Sequence, residues 1–289
     1  MKLRLKYRRS LMNRSRIGNI LVWVLLIVAG LFMSVPLIYA VASSLKPFEE
    51  IYLFPPKLYV INPTLDNFKN LFSLSQDSVV PFSRYLFNSL FVAVCTTVLQ
   101  IVFASMAAYP LAKGDFPGKD ALFSVIVFSL MFVSQVTFLP QYIIMAKLKL
   151  LNTYFSLLLP AIGSSMGLFL MKQFMEQIPI AIIESARLDG ASEFRIVFSL
   201  VFPNVKPAWL TLAIFTFQGM WNTSGSSYIF DEDLKLLPMA LSQITASNSL
   251  SRMGVGMATT VILMIPPIVF FIISQSNVVK TMAFAGIKE

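Results

Sequence analysis

Long apolar stretches without a single charge alternate along this chain with short charged segments. Six of them are 22 residues or longer: 17–45, 85–112, 121–146, 150–171, 207–230 and 253–279. A helix that crosses a bilayer needs about 20 such residues. The pattern therefore predicts an all-α integral membrane protein with six transmembrane helices. The next longest charge-free stretch, 236–251, reads LLPMALSQITASNSLS and is too short and polar to span. Ala40-Val41-Ala42 fits a small-x-small cleavage site, but the apolar run before it exceeds the roughly 7–15 residues of a signal core. The first run reads as a retained span.

The segments between the runs differ in character. Residues 43–83 hold Pro47, Pro55, Pro56, Pro63 and Pro81, and the stretch LDNFKNLF predicts a short surface helix. Residues 113–120, KGDFPGKD, predict a tight turn. Its Gly-x-x-x-Gly-Lys spacing lacks the fourth intervening residue and the Ser or Thr after Lys that a phosphate-binding loop needs. Gly163 to Gly167, GSSMG, is a small-xxx-small pattern that suits either close helix packing or a flexible break beside Pro160.

Residues 172–206 form a second long segment, KQFMEQIPIAIIESARLDGASEFRIVFSLVFPNVK. Pro179 suits a helix first turn. Ile182, Ile183 and Ala186 then share one face, and Glu184 and Arg187 are spaced to pair on another. Asp189-Gly190 ends that helix, with Gly190 in a left-handed cap. A second helix starts near Ala191-Ser192, capped by Ser192 or Asp189, and runs to Pro203.

Composition adds limits. Of 289 residues, 56% are hydrophobic and 13% charged, and mean hydropathy is +0.74. There is no His and one Cys, Cys95. Those two facts exclude an internal disulfide, His metal sites and Ser-His-Asp triads. Cys95 lies in an apolar run with nothing nearby to lower its pKa, and reads as an inert packing residue. The seven basic residues Lys2, Arg4, Lys6, Arg8, Arg9, Arg14 and Arg16 precede the first run without an acid. By the positive-inside rule the N-terminus is expected in the cytoplasm, and six spans return the C-terminus to the same side. Fifteen basic residues then lie inside and eight outside, against seven acids on each side. Topology thus accounts for most of the net charge of +9, and no nucleic-acid partner is needed.

A lipid-surface hairpin usually carries an excess of Lys and Arg. The 172–206 segment instead balances Glu184, Asp189 and Glu193 against Arg187 and Arg195. A mixed-sign knob between apolar helices suits docking to another protein.

The knob also resembles a known motif. Glu184-Ser185-Ala186, three residues, Gly190 and the later Val201-Phe202-Pro203 are similar to the "EAA" loop of permease subunits of binding-protein-dependent ABC importers, with Ser185 in place of the usual first Ala. Residues 107–119 (AAYPLAKGDFPGK), residues 139–160 (LPQYIIMAKLKLLNTYFSLLLP), Asn88-Ser89-Leu90 and Trp221-Asn222 resemble further motifs of the carbohydrate-uptake, maltose-permease-like branch. The resemblance runs from about residue 15 to the C-terminus. It implies a type I ABC importer permease fold with six spans and both termini cytoplasmic. It also implies a homologous second permease, two ABC ATPase subunits that bind the ATP and Mg, and an extracytoplasmic solute-binding protein. The cell membrane would be bacterial or archaeal. The chain itself would hold no cofactor, metal or catalytic residue.

By the resemblance, Glu184, Ser185, Ala186 and Gly190 carry ATPase coupling. Arg187 and Asp189 join them on physical grounds. In the C-tail, Lys280, Thr281 and Gly286 keep part of the family pattern, while Met282, Ala283 and Glu289 depart from it.

For a glycan substrate, the polar or aromatic residues within spans are path candidates: Gln100, Ser134, Gln135, Thr137, Gln141, Gln218, Trp221 and Asn222. The competing role is interhelical hydrogen bonding. An importer of a non-sugar solute is the alternative substrate reading. A membrane enzyme or a self-sufficient carrier would want His or acids within spans, and these runs hold none.

Overall fold

The structure, a computed structural model, describes residues 16–76, 80–245 and 252–285. Most of the basic N-terminal segment and Gly286 and Glu289 of the tail lie outside the described residues. The architecture is helical throughout, with no strand among the described residues.

In chain order the helices of eight residues or more are α1 (Arg16–Ser44), α2 (Asp66–Gln76), α3 (Phe82–Lys113), α4 (Lys119–Ser129), α5 (Ser134–Lys147), α6 (Phe155–Ile162), α7 (Ser165–Glu176), α8 (Ile180–Leu188), α9 (Glu193–Asn204), α10 (Lys206–Asn222), α11 (Leu237–Thr245) and α12 (Met253–Ala285). Four stretches are long and apolar enough to cross a membrane: Ile17–Ser44, Phe82–Lys113, Phe155–Glu176 and Met253–Gln275. Two bent pairs bring the number to six if each is one span.

Those pairs correct the expected spans. Residues 121–146 are not one straight helix. The chain breaks between Ser129 and Ser134, and α4 and α5 meet at 107°. The fifth helix ends at Asn222 rather than at 230, and α9 turns away from α10 by 82°. The fourth begins at Phe155 rather than 150 and is interrupted between α6 and α7. The LDNFKNLF stretch does form α2.

α3 is the central mast. It packs against α6, α7 and α10, and α12 packs against α10 and α1. Small residues permit the close crossing. A Cβ on Gly167 of α7 would come within 3.0 Å of Gln100 and 3.2 Å of Leu212. Of the two expected uses of the GSSMG pattern, close packing is the one seen, at Gly167, while Gly163 ends α6. α1, by contrast, buries none of its apolar window, and no residue of α4 is buried. These surfaces face lipid or another chain.

Trp221 anchors α10 to α12. It is fully buried, and its Nε1 donates to the Leu263 carbonyl at 2.8 Å. Its ring stacks on Phe217, which stacks on Phe270 with centroids 4.4 Å apart. Truncating a buried ring of this size costs about 3–5 kcal/mol.

Candidate functional site

The segment after α7 is tied to α3 by a lysine. The Lys113 Nζ donates to the Glu176 carbonyl at 2.9 Å and to the Ile178 carbonyl. α8 begins after Pro179, which supplies no amide where none is needed. Ile183 is fully buried against Ile196 and Val201, and Ala186 packs beside it. Ile182, placed on the same face by its spacing, stays exposed.

α8 closes in a Schellman turn. Ala191 N donates to the Ala186 carbonyl and Gly190 N to the Arg187 carbonyl, both at 3.0 Å. Gly190 sits at φ +79°, where a side chain costs about 1–2 kcal/mol. Ser192 caps the next helix by accepting from Arg195 N at 3.4 Å. Both features follow the sequence expectation, and of the two cap candidates Ser192 is the one used. α9 then widens into a π-helix over Ile196–Val201. Phe194, Phe198, Phe202 and Trp209 follow one another in ring contact along α9 and into α10.

One expected contact is different. Arg187 does not pair with Glu184. Its Nε binds Glu193 Oε1 at 2.7 Å, across the turn, and Tyr109 of α3 donates its hydroxyl to Glu193 Oε2 at 2.8 Å. The Schellman turn folds the chain back, so a partner six residues away replaces one at three. The Arg187 hydrogen bond, then that of Tyr109, holds the Glu193 carboxyl below its ordinary range.

Glu184, Ser185 and Asp189 point outward with their side chains unpaired among the described residues. Beside them Leu188 is 89% exposed and Phe194 66%. Neither apolar tip stands out in the sequence, where no motif or spacing marks it. The result is a rigid, mixed-charge knob with greasy points, and under it Tyr109, Arg187 and Phe198 edge an apolar cavity of about 370 Å³.

At the opposite end of α3 lies a second polar cluster. The fully buried Asn88 donates to the carbonyls of Asp233 and Lys235 at 2.8 and 2.9 Å, and accepts from the Tyr154 hydroxyl at 2.7 Å. Tyr85 donates to Glu232 Oε1 at 2.7 Å, and Lys235 binds the other oxygen of the same carboxylate. Asn152 accepts from the amides of Phe230 and Asp231 at 3.0 and 2.9 Å. The loop between α10 and α11 is thereby clamped to the bundle.

The path candidates scatter. Trp221 is core, as described. Gln100 is buried and accepts from Thr216 of α10. Ser134, Gln135 and Thr137 are exposed on α5, Gln141 is half-exposed there, and Gln218 and Asn222 are exposed on α10. Gln100 lines a cavity beside the α6–α7 break with Ser164 and Thr216, and Gln218 lines a separate one against α12. Cys95 is half-buried among apolar neighbours.

Residues 100–284 match the family described as binding-protein-dependent transport system inner membrane component. The chain belongs to that family. As a transport-system inner membrane component it is a multi-pass transport subunit, not an enzyme, and ATP hydrolysis resides on separate subunits of such systems. It is 28% identical over 261 residues to the arabinooligosaccharides transport system permease protein AraQ of Halalkalibacterium halodurans, covering 88% of this chain and 90% of that one. It is 28% identical over 294 residues to the polygalacturonan/rhamnogalacturonan transport system permease protein YtcP of Bacillus subtilis, covering 95% and 99%. In fold it is similar to a chain from the crystal structure of a bacterial ABC transporter involved in the import of the acidic polysaccharide alginate. There the TM-score is 0.77 at 22% identity, covering 91% of this chain and 98% of that one.

Proposed function

We propose that this transport subunit is the permease of an ATP-driven importer for an oligosaccharide or related glycan in a bacterial or archaeal cell membrane. It pairs with a homologous second permease. Residues 172–206 form the coupling loop on the cytoplasmic side, with both termini there. The knob around Glu184, Ser185, Ala186, Arg187, Asp189 and Gly190 seats in one of two ABC ATPase subunits, which bind ATP and Mg. The opposite end meets an extracytoplasmic solute-binding protein.

The observation that carries this reading is the knob itself. Its turn is fixed by Gly190, its base is pinned by Ile183 and Lys113, and its outward Glu184, Asp189 and Leu188 have no side-chain partner among the described residues. A lever that transmits force needs that rigidity, and a docking tip needs unspent groups. Relatives that act on arabinooligosaccharides and polygalacturonan favour a glycan.

The test is uptake of labelled oligosaccharide by the reconstituted complex with its binding protein. Uptake that requires ATP and is lost with the binding protein is expected. Uptake without ATPase subunits would sink the reading. On the same samples, Glu184→Ala should weaken copurification of the ATPase, and unchanged association would remove the knob from the interface.

A further inference from the structure

The last span carries two adjacent prolines, Pro266 and Pro267, inside α12. Proline has no amide hydrogen, so the carbonyls four residues back, those of Ile262 and Leu263, lose their helical donors. In apolar surroundings a freed carbonyl is served from a neighbouring element or it is costly. For Leu263 the donor is the Trp221 indole of α10, at 2.8 Å. The side chain of one helix thus stands in for the hydrogen that Pro267 withholds from the other.

The indole is held in place. It is fully buried, in one apolar cluster with Tyr85 and Leu237. The two sides of the prolines are packed differently. Before them Val255 and Ala258 are buried, whereas after them Ile268, Phe271, Ile272 and Ile273 are 40% to 70% exposed. A cavity of about 230 Å³ lies on the seam at this point, lined by Phe217 and Gln218 of α10 and by Pro267 and Phe271 of α12. A helix that lacks two consecutive backbone bonds bends there most readily, and the cavity leaves room for the bend to change. α10 itself follows α9 after a single residue, Val205, so it is the element next in line from the knob.

We propose that Pro266–Pro267 is a hinge in the last span and that Trp221 is the positioning residue through which α10 works it. With the indole on the Leu263 carbonyl, α10 grips α12 at the hinge itself, and a displacement of α10 changes the bend. Without that hydrogen bond α10 slides past the hinge, and the movement of the knob is lost before it reaches the last span. The proposal rests on the reading of the knob as the coupling element.

The complete complex, with its binding protein, is tested in proteoliposomes, with oligosaccharide uptake and ATP hydrolysis measured on the same samples. Trp221→Phe keeps a buried ring and removes the donor, and should lower uptake per ATP at least fivefold. Pro267→Ala returns an amide hydrogen to the Leu263 carbonyl and leaves Pro266 to mark the bend. In that background Trp221→Phe should change uptake per ATP less than twofold. The unfolding midpoints of the same four proteins should follow, with the loss from Trp221→Phe at least halved by Pro267→Ala, and they decide the matter if Pro267→Ala alone abolishes uptake. Equal losses in both backgrounds, or no loss in either, mean that the indole only packs and overturn the proposal. If Trp221→Phe fails to assemble, assembly of the double variant upholds the exchange of donors, and failure of both overturns it. ATP-dependent uptake without this rescue leaves the coupling reading standing, whereas uptake that needs no ATP overturns that reading as well.

Discussion

Each end of α3 presents a tyrosine to a glutamate that also holds a cation. At one end Tyr109 and Arg187 share Glu193. At the other Tyr85 and Lys235 share Glu232. The chemistry is nearly the same and the depth is not. Arg187 and Glu193 are exposed side chains, whereas Tyr85 and Lys235 are buried and sit beside the buried Asn88. An exposed ion pair contributes little to stability and can be remade around an arriving partner. A buried polar network is expensive to open because every group in it loses its partner at once. The mast is therefore stapled at one end and jointed at the other, which suits the proposed coupling role of the knob.

The sharpest way to break this contrast is Asn88→Ala. It strands two carbonyls and the Tyr154 hydroxyl in a buried site, and should cost about 3 kcal/mol. Thermal unfolding of the purified complex should show a clear loss, and a variant as stable as wild type would void the staple.

Gly190→Val comes next. Its left-handed backbone resists a β-branched residue by about 1–2 kcal/mol. The local turn should open, so that ATP hydrolysis continues while transport fails. Full transport by that variant would falsify the lever.

Glu193→Gln is milder. It should leave thermal stability unchanged, yet reduce transport per ATP by roughly twofold to tenfold, on the order of 1 kcal/mol of coupling. The matching Glu232→Gln should do the reverse, lowering stability more than coupling.

The smallest effect is with pH. The Glu193 carboxyl is depressed, so its stabilising contact is present above the ordinary glutamate value and lost only as pH falls through the lower, folded one. Exchange protection of the Ala191 amide, corrected for intrinsic rate, should be equal at pH 6 and pH 8. A drop within that window would mean that the joint is not held by this carboxylate.

The joint was largely legible in the sequence and the staple was not. Gly190, Ser192 and Pro179 act on their own neighbours, so local rules find them. Arg187 was assigned to Glu184 because helix spacing sees only the helix, not the turn that brings Glu193 back. Tyr85 lies 147 residues from Glu232, and Asn88 lies 145 and 147 residues from Asp233 and Lys235, and nothing local reports such a meeting. The bend between α4 and α5 was hidden too. A charge-free run states that its residues suit an apolar place, but carries no direction, and Leu130 to Val133 contain no Gly or Pro to mark the break. Gln100 was recognised as a polar group in a span, whereas the Trp-Asn motif drew attention to Trp221, whose indole is spent on Leu263.

The π stretch Ile196–Val201 makes α9 a helix with slack. Its hydrogen bonds skip five residues where an α-helix skips four, so it houses length that a straight rod would not. A rod would pass every tremor of the knob directly to α10. A helix with spare length yields first, and only a sustained push travels on. In mechanical terms the proposed coupling knob would reach the span through a compliant segment rather than a rigid rod.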